Sequence, residues 1–66
     1  MRIVLNGRET EVAAGTTVGE VVDRVTADRS RVAVERNKAI VKRAAYDETP
    51  VDDNDVIEVV TLVGGG

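Results

Sequence analysis

Val56-Ile57-Glu58-Val59-Val60-Thr61-Leu62-Val63 is the longest run of β-type residues in the chain. Branched side chains suit a pleated surface. The run is apolar on both faces for most of its length, the pattern of a strand inside a sheet rather than at its edge. Asp52-Asp53-Asn54-Asp55, a dense turn signal, precedes it, and Gly64-Gly65-Gly66 follows it.

Earlier in the chain, Arg2-Ile3-Val4-Leu5-Asn6 reads as a first strand, with Ile3 and Leu5 on one face and Val4 on the other. Asn6-Gly7 is a turn signal, because both residues tolerate positive φ. Thr10-Glu11-Val12-Ala13 reads as the returning strand of a hairpin. Thr17-Val18-Gly19-Glu20 fits a capping box, with Thr17 as the cap and Glu20 reaching back. Val18, Val21, Val22 and Val25 then recur at helical spacing, which predicts a short helix fading by Thr26 to Asp28. β-branched residues are mediocre helix formers, so this helix depends on tertiary packing. Val32-Ala33-Val34 and Ala39-Ile40-Val41 read as two short strands about an Asn37-Lys38 turn. Ala44-Ala45-Tyr46 reads as a single helical turn before Thr49-Pro50. The helix covers one sheet face and leaves the other open.

Composition narrows the function classes. The chain has 66 residues, 42% hydrophobic and 32% charged, with a net charge of −3. Val alone supplies half of the hydrophobic residues. A domain this small buries only about 60% of its unfolded surface, which leaves no room for a deep catalytic pocket. There is no Cys and no His, hence no disulfide, thiolate nucleophile, imidazole base or imidazole metal ligand. The negative charge argues against nucleic acid as a partner. No apolar run approaches the roughly 18 residues of a membrane span, and no signal peptide is visible. The expected location is the cytoplasm.

Few side chains suggest chemistry. Asp52, Asp53 and Asp55 lack the glycine and distal glutamate of a calcium loop, so they read as a solvated turn. Arg29, Arg31, Arg36, Lys38, Lys42 and Arg43 are interleaved with Asp28 and Glu35, as on an ordinary charged surface. Tyr46, the single aromatic, reads as a packing residue with its hydroxyl near solvent. The glycines differ: three of the six end the chain. A tri-glycine is thin and extendable enough to thread a narrow channel. It presents the Gly66 carboxylate to another enzyme as a group to be activated. A frayed terminus without function is the competing reading.

The length, the element order and the terminal glycines resemble the ubiquitin-like sulfur carriers of the MoaD/ThiS family. The resemblance spans essentially the whole chain. It rests on Ile3-Val4-Leu5-Asn6-Gly7, Gly15-Thr16-Thr17-Val18, Val32-Ala33-Val34-Glu35-Arg36-Asn37, Ile40-Val41 with Arg43, Asp53-Asn54-Asp55 and Glu58-Val59-Val60-Thr61 running into the glycines. The third glycine, Gly64, and the residues Lys42 and Tyr46 depart from the usual pattern, in which proline and tryptophan are common at the latter two. The resemblance implies an α+β fold of the β-grasp (ubiquitin-like) type: a mixed sheet with one main helix on one face, a domain over 1–63 and a flexible glycine tail over 64–66.

The resemblance also implies a function. A ThiF-type adenylating enzyme uses ATP on the Gly66 carboxylate, and a sulfur donor such as a cysteine desulfurase converts it to a thiocarboxylate. Thiazole synthase (ThiG) accepts the sulfur for the thiazole of thiamine. Gly64 and Gly65 form the approach, the carrier binds no cofactor, and it catalyses nothing. Carriers for molybdopterin, cysteine or tRNA thiolation, and a ubiquitin-like modifier of lysines, remain open. With Ile57 and Val59 facing the helix, Glu58, Val60 and Leu62 face the open side together with Val4. These four are the expected partner-binding residues.

Overall fold

The computed structural model of the chain describes residues 1–62. Among them the strands and the α-helix follow in the order β1 (Arg2–Leu5), β2 (Arg8–Glu11), α1 (Val18–Asp23), β3 (Val32–Arg36), β4 (Ala39–Val41) and β5 (Val56–Thr61), with short 3₁₀ segments before β3 and between β4 and β5. The strands form one sheet in the order β2-β1-β5-β3-β4. β5 is central as its two-sided apolar pattern predicts, parallel to β1 and antiparallel to β3.

Two turns set the hairpins. Asn6 and Gly7 both adopt positive φ, 50° and 80°, so a two-residue turn joins β1 to β2. Leu5 therefore pairs directly with Arg8. The returning strand runs Arg8–Glu11 rather than starting at Thr10, because the turn closes without spare residues. Asn37 and Lys38, at φ 51° and 70°, do the same between β3 and β4. Both asparagines also dock β5 with their side chains. Asn6 Oδ1 accepts from the Val59 N–H at 2.8 Å, and Asn37 Oδ1 accepts from the Val56 N–H at 2.8 Å.

The capping box forms as expected. The Glu20 N–H donates to Thr17 Oγ1 at 3.2 Å, and the Thr17 N–H donates to Glu20 Oε1 at 3.1 Å. Val18, Val21 and Val22 are buried. The helix ends earlier than the valine stripe implies: its last residue is Asp23, and Val25 is left 40% exposed. The N–H groups of Arg24 and Val25 fall back on the carbonyls of Val21 and Val22, a tightened last turn that turns the stripe off the core. The buried helix residues pack with Ile3, Val12, Val32, Val34, Tyr46, Val51, Ile57 and Val59 into one aliphatic core.

Arg29 ties α1 to the 3₁₀ segment Arg43–Glu48. Its guanidinium donates twice to Asp23 and twice to Asp47, at 2.9–3.0 Å, and sits 5.9 Å from the centre of the Tyr46 ring. Hydrogen bonding to Arg29 holds both carboxyls below the usual range. Gly19 lies beneath this clasp, where a Cβ would meet Asp47 Oδ1 and Arg29 Nη2. That close approach explains a glycine inside the helix.

The Asp52–Asp55 turn is held from within. Asp55, 6% exposed, accepts from Arg36 Nε at 2.7 Å, Asn37 Nδ2 at 2.9 Å and the Asp52 N–H at 2.8 Å. Burial pushes the Asp55 carboxyl up, but the bonds from Asp52, Asn37 and Arg36 outweigh it and hold it below its ordinary 3.8. A depressed folded value stabilises the protein above the unfolded value. That stability is lost as pH falls through the folded one. Thermal melts across an acid series are therefore expected to show stability level above 3.8 and declining below it. Asp55→Asn should remove part of that acid-side slope; an unchanged slope in the variant would show that Asp55 does not contribute.

Candidate functional site

The helix covers only one sheet face. Along β5, Ile57 and Val59 are buried toward it, so period two places Val56, Glu58 and Val60 on the other face. Register brings neighbours alongside: Val4 pairs with Val56, Glu35 with Glu58, Ala33 with Val60, and Ile40 with Glu35. Val60 and Leu62 are each 51% exposed and Ile40 is 69% exposed.

Of the four expected partner-binding residues, Glu58 and Val60 stand exposed on this face and Val4 lies on it half-buried. Leu62 follows β5 directly, with its N–H donated to the Arg31 carbonyl at 2.7 Å. Val56 and Ile40 also belong to the face. The same period-two count that gave Val60 would have given Val56; Ile40 needed the β3–β4 register. Glu58 opposite Glu35 puts two carboxylates among the aliphatic side chains of this face, with Glu9 opposite Val4 toward its β2 edge. A partner surface that is apolar with a basic group near its centre complements it.

Val63, Gly64, Gly65 and Gly66 lie outside the described residues, so the expected tail and its reactive carboxylate have no geometry here. Leu62 marks where β5 hands over to them, beside the open face. The other candidates resolve into structure. Tyr46 is a core residue at 2% exposure. Asp52 and Asp55 bind Arg36, while Asp53 Oδ1 accepts from the Arg2 N–H, so the acidic cluster is a braced turn. Arg29, Arg31 and Arg36 are each paired with aspartate. Among the described residues no helix is long and apolar enough to cross a membrane.

A mixed five-stranded sheet with a capped helix on one face and its first and last strands parallel at the centre defines a ubiquitin-like β-grasp domain. One solved structure it is similar to is the thiamine biosynthesis protein ThiS of Geobacter metallireducens, with a TM-score of 0.83 at 33% identity over the whole of both chains. The ThiS family model matches residues 3–66, and the chain belongs to that family. The sulfur carrier protein ThiS of Bacillus subtilis is 38% identical over 63 residues, covering 94% of this chain and 96% of that one. A thiazole synthase of Paramagnetospirillum magneticum is 39% identical over 66 residues. The chain spans 20% of the length of that relative.

Proposed function

We propose that the chain is the sulfur carrier of thiazole formation in thiamine biosynthesis. The observation that carries this is the near end-to-end match to a sulfur carrier named ThiS, on the same fold. A segment like the whole of this chain within a thiazole synthase supports thiazole synthase as the acceptor. In this reading the Gly66 carboxylate attacks the α-phosphorus of ATP on a ThiF-type enzyme, releasing pyrophosphate and leaving an acyl-adenylate. A persulfide from a cysteine desulfurase displaces AMP to give an acyl disulfide. A second thiol cleaves that disulfide, becoming oxidised as the thiocarboxylate is released. The carrier holds no catalytic group, and its role is cytoplasmic, where ATP and these enzymes meet. Gly64 and Gly65 keep the approach to Gly66 free of side chains.

The test is an intact mass after incubation with ATP, a ThiF-type enzyme and a sulfur donor. A gain matching one oxygen-for-sulfur exchange supports the reading. No gain, with the enzyme active on its own carrier, overturns it. Complementation of a thiamine-requiring strain then assigns the pathway.

The open face is the docking surface in this proposal. Leu62→Asp puts a charge where an apolar contact forms. Losing about half of a leucine's burial, roughly 1–1.5 kcal/mol, raises the carrier's apparent KM with the activating enzyme about tenfold. Circular dichroism should stay unchanged. Unaltered activation of the folded variant would remove Leu62 from the interface.

A further inference from the structure

β4 is the edge of the sheet on the side away from β2. A two-residue turn joins it to β3, so Ala39 and Val41 share the ladder with Arg36 and Val34. The alternation of an antiparallel pair then aims the N–H and C=O of Ile40 outward. Beside this edge lies a cleft of about 410 Å³ lined by Arg36, Lys42, Thr49, Ala45 and the three residues of β4. Its apolar wall is made of small side chains, Ala39 and Val41 from the strand and Ala45 from the 3₁₀ segment. An extended chain laid along β4 would bond to Ile40 and drop every second side chain into that space.

Charge selects the occupant. The chain carries −3 overall, yet its two lysines, Lys38 and Lys42, flank β4, and Arg43 follows. Among the described residues none of the three has a carboxylate within ion-pair distance. Lysines at an edge repel the same edge of a second copy. The β2 edge of a second copy fits no better: it offers Arg8 and Thr10 on one face, Glu9 and Glu11 on the other, with no apolar side chain for the cleft. We infer that the β4 edge receives an extended, acid-flanked segment of a partner protein as an added strand, with an apolar side chain seated between Val41 and Ala45. This does not depend on the sulfur-carrier reading.

The test starts from the full chain and a library of capped ten-residue peptides. The recovered sequences should alternate apolar and polar residues between Asp or Glu flanks. On titration they should shift the amide resonances of Ala39, Ile40, Val41 and Lys42, and slow hydrogen exchange at Ile40. The double variant Lys38→Glu/Lys42→Glu, entirely on the surface, should bind at least tenfold more weakly, and added salt should weaken the wild type. Ile40→Pro, tolerated at an edge but without the N–H, should lose binding. Recovery of no peptide, recovery of Lys- or Arg-flanked peptides, shifts confined to Val56, Glu58 and Val60, or a concentration-dependent dimer through β4 would each overturn the inference.

Discussion

Removing Gly66 is expected to abolish sulfur loading while leaving the folded domain and its docking untouched. The truncated chain still ends in a glycine carboxylate, so its intrinsic chemistry is the same. What changes is reach. One residue spans roughly 3.5 Å, and a misplacement of about 1 Å at a reacting centre can cost about 10²-fold. A carboxylate held a full residue short of ATP therefore loses effectively all activation. Intact mass reads the loss directly, and competition by the truncated chain against full-length carrier shows that docking survives. A truncated chain that still gains sulfur would show that the enzyme does not measure the tail, and the role given to Gly66 would fall.

Ile57→Ala is expected to have the largest effect on the fold. Ile57 is fully buried in the central strand, and its carbonyl accepts the Asn6 N–H at 3.0 Å. Truncating a buried isoleucine costs about 2–5 kcal/mol. A domain of this size is stabilised by only about 3–10 kcal/mol. Each kcal/mol moves the melting temperature by about 4–8 °C, so a fall of roughly 20 °C, at the middle of these ranges, should appear in calorimetry. Val60→Ala, three residues on and on the open face, should stay within about 0.5 kcal/mol of wild type. Equal effects at the two sites would contradict the assignment of faces on β5.

Local signals were the legible part of the sequence. Thr17 with Glu20, Asn6 with Gly7 and the apolar run after Asp55 each carry their meaning within a few residues; the first two form as read, and the run forms the central strand over Val56–Thr61, shorter than its full apolar length. The helix end is different. Val25 fits the stripe, but whether a last turn tightens depends on what the chain must do next, which periodicity does not encode. By sequence the Asp55 cluster reads as a solvated turn. Its bonds to Arg36 and Asn37 join residues 19 and 18 apart, and only the folded register brings them together. Ile40 escaped the open face for the same reason. The role proposed for the glycines rests on their placement and the family resemblance; the fold contributes the open face and the position of Leu62.

The place of β5 has a consequence during synthesis. It is the strand that links the β1–β2 hairpin to the β3–β4 hairpin, and among the described strands it is the last to be made. A nascent chain that stops before Val56 holds two separate hairpins and a six-residue helix with no sheet to lie on. Such pieces are marginal in water, and quality-control proteases can dispose of them. Completion of the sheet thus certifies that translation has reached Leu62. Chains that end before Val56 would therefore not accumulate as folded decoys of the proposed carrier.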